Sequence, residues 1–151
     1  MAKKAKGERT VLAFDFGTIS IGVAVGTELT GTASMLPALK AVDGIPNAEE
    51  LDRLFAEWKP DIIVVGLPLN MDGTEGERAK NARAFAAMLE RRTGLKVILH
   101  DERLTTVEAD EILADNGVAK ADRKKTLDQV AAVLILEDYL NGRNGNDNFH
   151  G

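Results

Sequence analysis

Apolar residues along the first part of the chain come in short runs, and two of those runs sit almost end to end. Arg9 to Phe16 and Ile19 to Val25 both read as strands, and the brief Gly17-Thr18 link between them predicts an antiparallel hairpin. Gly31 to Leu36 reads as a third, weaker strand that ends at Pro37. A helical period then begins at Asn47. Leu51, Leu54, Phe55 and Trp58 share one face, Glu50 completes a capping box with Asn47, and Pro60 closes the helix. The β-branched run DIIVVGLP, Asp61 to Pro68, predicts a buried strand. A Gly-rich loop, Asn70 to Gly76, leads into a helix reaching Arg92, with Ala82, Phe85, Ala86 and Leu89 on its apolar face and Gly94 as its cap. Leu95 to Leu99 predicts a further strand. Thr105 to Asp115 reads as a helix capped by Thr105 and Glu108, and the last helix runs from about Thr126 to Leu140.

This order, three strands and then alternating helices and strands, predicts an α/β fold with a mixed five-stranded sheet and helices on both faces. In such a sheet, ligands bind where strands run out into loops on one edge. Met1 to Glu8 and the Asn- and Gly-rich stretch from Asn141 onward have little to bury and read as flexible tails, which leaves a single domain over residues 9–140.

Composition narrows the function classes. With 151 residues, 44% hydrophobic and 28% charged, the chain suits one soluble domain. It contains no cysteine, which excludes disulfides, thiolate catalysis and thiolate metal sites. The start MAKKAKGERT is basic without an apolar stretch, so it does not read as a signal peptide, and no apolar run reaches membrane-spanning length. The expected location is the cytoplasm. A net charge of −5 gives no global attraction for nucleic acid, although basic residues gather at Lys3, Lys4 and Lys6, from Arg78 to Arg92, and from Lys120 to Lys125. An acidic metal site would itself lower the net charge, so a nucleic-acid enzyme remains compatible with it.

Three acids stand out. Asp15 ends the first strand; Ala13 and Gly17 share its face, while Leu12, Phe14 and Phe16 point the other way. An isolated strand-end Asp most often bonds to a turn. Here, however, Gly17 removes bulk, so that a ligand or another backbone can approach, and Thr18 offers a hydroxyl and an amide of the kind a metal-bound phosphate uses. In HDERLTT, His100 to Thr106, Asp101 and Glu102 are adjacent, so in an extended chain only one of them faces a given side. Arg103 can bind a phosphate with two parallel bonds, and Thr105 caps a helix whose free amides also suit an anion. His100 reads as structural. Asp128 shares a helical face with Ala132, Ile135 and Tyr139, where a carboxylate calls for a partner, a metal or a helix-end role; as part of TLDQ it also fits a capping box begun by Thr126. Asn70 is the best polar candidate in the loop after the central strand, which otherwise reads as an ordinary connection.

Together FDFGT-x-x-IGVAV, VVGLPLNMDGT, HDERLTT and LDQVAAVLILEDYL resemble the YqgF family over residues 10–140. Its members are regarded as Holliday junction resolvases and as nucleases maturing the 5′ end of pre-16S ribosomal RNA. The resemblance implies a ribonuclease-H-like fold in which acids from the first strand, a later strand end and the last helix surround divalent metal. Carried over, these are Asp15, Glu102 and Asp128, with Asp101 as the ambiguous neighbour of Glu102. The expected reaction is phosphodiester hydrolysis with Mg²⁺ or Mn²⁺, two ions about 4 Å apart, held by hard oxygen ligands and needing no protein nucleophile. Gly17, Thr18, Asn70, Arg103, Thr105 and Thr106 are the candidates for holding substrate phosphates. The expected partner is ribosomal RNA precursor, with ribosomal particles nearby, or branched DNA, for which a symmetric dimer is expected. Where the family often carries a basic residue or two after DFGT, this chain has Ile19-Ser20, so the phosphate contact is either missing or supplied by Arg103 or the Arg78 to Arg92 helix. Two other classes compete. A non-catalytic ribosome-assembly factor could keep the fold without the chemistry. An actin- or sugar-kinase-type ATP-binding domain shares the Asp-x-Gly-Thr phosphate loop, but those proteins close two such domains on a nucleotide and this chain has room for one.

Overall fold

The computed structural model describes residues 9–70, 72–101 and 130–141. Expectations about Glu102, Arg103, Thr105, Thr106, Asp128, the helix over 105–115 and both tails fall outside these residues.

The sheet is built outward from β1 (Thr10–Asp15), which pairs antiparallel with β2 (Ser20–Thr27) on one side and parallel with β5 (Ile62–Leu67) on the other. β3 (Ala33–Val42) continues the antiparallel meander, and a two-residue strand, β4 (Ile45–Pro46), folds back on it. β6 (Lys96–Asp101) pairs parallel with β5, which gives the order β4-β3-β2-β1-β5-β6. Among the described residues the sheet thus has six strands, against the five expected. The third strand also runs past Pro37 to Val42.

The physical reason is a β-bulge. Ile21 pairs with Leu39 and Val23 with Leu36, so Pro37 and Ala38 together stand opposite the single residue Gly22. A bulge is where a strand tolerates proline, whose missing N–H would break a regular ladder. Beyond it the strand regains its pairing and turns tightly at Asp43-Gly44, both at positive φ (51° and 81°), to form β4.

Alternation along the strands sorts side chains into two cores. Leu12, Phe14, Ile21, Val23, Ile63 and Val65 face one way, and α1 (Ala48–Trp58) and α2 (Glu77–Thr93) cover them through Leu51, Ala82, Phe85 and Leu89. Val11, Ala13, Ala24, Ile62 and Val64 face the other way, against Ala132, Ile135, Leu136 and Tyr139 of a helix over 130–141, here α3. Helices therefore lie on both faces, as expected from the element order. The capping of α1 also follows the sequence: the Asn47 side chain accepts from the Glu50 amide at 3.0 Å, and Lys59 ends the helix in the left-handed conformation before Pro60. At the far end of β1 from Asp15, Arg9 grips Glu28 with two bonds of 2.7 and 2.8 Å, which raises the guanidinium pKa still further.

α1 is anchored chiefly by Leu51, 1% exposed. Leu51→Ala is expected to cost about 2–4 kcal/mol through lost burial and the cavity left behind. Urea denaturation of the two proteins side by side measures this.

Candidate active site

Three parallel strands, β1, β5 and β6, end on one edge of the sheet, and each delivers a different sequence motif there. β1 delivers Asp15, half-buried at its last position. Directly across on β2 stands Gly22, and on β5 the register that pairs Phe14 with Val65 brings Gly66 level with Asp15. The positions directly opposite this carboxylate on both neighbouring strands are therefore glycines. Gly22 and Gly66 are site residues that the sequence reading missed. The signal was present, since a glycine interrupting the apolar run IIVVGL marks a close approach or a local opening.

Alternation fixes which residues share Asp15's side. His100 pairs with Gly66 and so lies on the α3 face, where its Nε2 meets Asp138 Oδ2 of α3 at 2.5 Å. That contact ties the end of β6 to the last helix. Asp101 pairs with Leu67, whose side chain belongs to the core under α1 and α2. Asp101 thus stands on the opposite face of the sheet from Asp15.

The DFGT turn is tight. A Cβ built on Gly17 would lie 2.2 Å from the Ser20 carbonyl oxygen, so the close approach made here is that of the chain's own backbone. The turn is then stitched to the β3–β4 hairpin: the Gly44 amide donates to the Thr18 carbonyl at 2.9 Å and the Ala41 amide to the Ile19 carbonyl at 3.0 Å. Thr18 is exposed at this edge. On the α2 side of the turn, Phe16, Gly44, Phe85 and Met88 line a groove of about 270 Å³ that lies on the face away from α3.

Asn70 also serves its own loop. Its Nδ2 donates to Thr74 Oγ1 at 2.9 Å, its amide donates to the Thr74 carbonyl, and Asp72 receives both the amide and the hydroxyl of Thr74. A bidentate Glu75–Arg83 pair, at 2.7 and 2.6 Å, fixes the loop to α2, and the Arg83 guanidinium holds the Glu75 carboxyl below its ordinary pKa. Among the described residues, no group of three or more His, Cys, Asp or Glu side chains gathers into a metal site. Two of the three acids expected there, Glu102 and Asp128, lie outside those residues.

An antiparallel meander running into parallel strands, with helices on both faces, makes this a ribonuclease-H-like fold. RuvC of T. thermophilus, solved in complex with a Holliday junction substrate, shares the fold at a TM-score of 0.52 and 17% identity, over 91% of this chain and 97% of that one. At the level of sequence, a family model described as RuvX, Holliday junction resolvase, matches residues 9–142. A Shewanella oneidensis protein named "Putative pre-16S rRNA nuclease" is 54% identical over 137 residues, 91% of this chain and 97% of its own length. An Escherichia coli O157:H7 protein of the same name is 56% identical over 131 residues, 87% of this chain and 95% of its own. The chain belongs to the RuvX family, and it is a hydrolase of the nuclease class.

The crowding at Gly17 generates a direct test. Gly17→Ala is expected to force the Ser20 carbonyl aside and to cost about 1–3 kcal/mol. Thermal and urea denaturation read the loss of stability, and cleavage assays on the same samples read the displaced turn.

Proposed function

We propose that this protein is a divalent-metal-dependent nuclease that hydrolyses phosphodiester bonds, acting on the 5′ region of pre-16S ribosomal RNA in the cytoplasm. The observation that carries the reading is Asp15: a carboxylate at the end of the central strand, flanked by glycine positions on both neighbouring strands, at the edge where β5 and β6 also end. A carboxylate is a hard oxygen donor, which fits Mg²⁺ or Mn²⁺ better than any softer metal. The RNA substrate is taken from the name carried by the relatives at 54–56% identity.

Asp15, Glu102 and Asp128 would hold the metal. Glu102 is proposed over Asp101 on the argument of the pleat. Asp101 stands on the face opposite Asp15, and side chains of an extended chain alternate from one face to the other. Asp128 is four residues before Ala132, which packs on the Asp15 face of the sheet, so a helical continuation would carry it on the same stripe. When bound, the metal supplies an activated water and a stabilised leaving oxygen. The protein's own work is to hold three carboxylates in place, with His100 and Asp138 joining the elements that lead to two of them. Arg103, Thr105 and Thr106 are proposed to hold substrate phosphates, and exposed Thr18 can join them. Gly17 and Asn70 act by shaping the loops around the site. The catalytic unit is one domain over residues 9–140.

Asp15→Asn is expected to lower the cleavage rate by more than about 100-fold while leaving the fold intact, because it removes the central ligand charge. The comparison uses precursor RNA, duplex DNA and four-way DNA junctions, each with Mg²⁺ or Mn²⁺, and circular dichroism to verify folding. Full activity in Asp15→Asn overturns the metal-carboxylate reading. Cutting of junctions and not of RNA replaces the RNA assignment with that of a resolvase, the activity described for the family model, and predicts a two-fold dimer.

A further inference from the structure

We propose that Lys40 supplies a substrate-phosphate contact on the Asp15 face of the sheet. This inference rests on the nuclease reading and adds a binding residue to it.

Register places Lys40 on that face. Asp15 pairs with Gly22; Ser20 is two residues further along the same strand and so shares the side of Gly22; and Ser20 pairs with Lys40. The buried neighbours agree, since Ile21 and Leu39, one residue away on each strand, both enter the opposite core. The bulge is what makes this so. Counting by twos from Leu36 would turn position 40 toward the α1 and α2 core, and the extra residue at Pro37-Ala38 reverses the phase. Leu39 becomes the buried residue, 5% exposed, and Lys40 stands out in solvent.

Placement at the correct edge follows from the same register. Two strand spacings separate β1 from β3, and the two-residue offset runs toward the edge where Asp15 lies, so the Cα atoms of Asp15 and Lys40 are about 12 Å apart. That is too far for the bond being cut. It is the right scale for a neighbouring phosphate reached by a four-carbon side chain, with the Ser20 hydroxyl alongside.

The other described cations lie elsewhere: Arg53 and Lys59 belong to α1 and its cap, and Arg78, Lys80 and Arg91 to α2, helices that pack on the opposite face. α2 covers the opposite face, and two of its arginines are already engaged, Arg83 with Glu75 and Arg92 with Asp52. Arg9 is held by Glu28 at the other end of β1. Lys96 shares the Asp15 face, since its partner Ile62 belongs to that core, but it begins β6 and so lies at the far edge. The helix over 130–141 carries no Lys or Arg.

The test uses a fluorescein-labelled 20-nucleotide single-stranded RNA, with binding followed by anisotropy from 50 to 200 mM salt in Ca²⁺ to suppress cleavage. Lys40→Ala is expected to weaken binding about 3- to 10-fold at the lowest salt and to reduce the slope of log K against log salt by about 0.7, the share of one phosphate contact. Lys40→Arg keeps the slope, and Lys96→Ala leaves it unchanged. In Mg²⁺, Lys40→Ala raises KM and leaves kcat near its original value, as expected for lost binding away from the reacting atoms. An unchanged slope in Lys40→Ala, with a wild type that binds and with cleavage that depends on Asp15, overturns the role of Lys40 alone. A wild type that neither binds nor cuts this RNA overturns both this proposal and the RNA-nuclease reading beneath it.

Discussion

Everything in this structure hangs on β1 being buried on both faces. Val11, Leu12, Ala13 and Phe14 are each fully buried, alternating between the core under α1 and α2 and the core under α3. A strand so enclosed has one register and one polarity, because slipping it by a residue would exchange both cores at once. Its end is therefore a fixed point. Asp15 is the polar residue that follows these four, and their packing determines where its carboxylate stands.

Burial also explains why an acid can be kept there. A carboxylate deep in either core would lose its hydration without recompense. At the last position of the strand it is only half covered, and the positions opposite it on both flanking strands are glycines. The same alternation that buries Phe14 turns Asp15 toward α3 and turns Asp101, two strands away, toward the other face. A single geometric rule thus separates two carboxylates that sit at nearly the same level of the sheet.

The meander shows the rule being modified. The Pro37-Ala38 bulge shifts the pleat by one residue, so the outer half of β3 presents Leu39 inward and Lys40 toward the side of Asp15. The tight Asp43-Gly44 turn then brings β4 back, and the Gly44 amide reaches the Thr18 carbonyl beyond Asp15. The loop after β1 is consequently held by β3 and the turn that follows it, segments well separated from it along the chain.

Much of this was legible in the chain itself. Apolar period and turn residues defined the hairpin, the buried DIIVVGLP strand, the Asn47 cap and the stripe of the last helix, because each depends on residues close in sequence. The four family motifs likewise identified Asp15 as the leading candidate before any contact was known. The sixth strand, the extension of β3 through Pro37 and the faces of Asp101 and Lys40 were not legible. They depend on which residue on a neighbouring strand stands opposite, and a proline that ends a strand in isolation can sit in a bulge once a partner is present. Gly17 shows the same division: the sequence asked for a close approach there, and only the folded turn showed that the approaching group is the carbonyl of Ser20. Local preference determined which segments are strands and helices, and pairing between distant segments determined which side of the sheet each functional side chain faces.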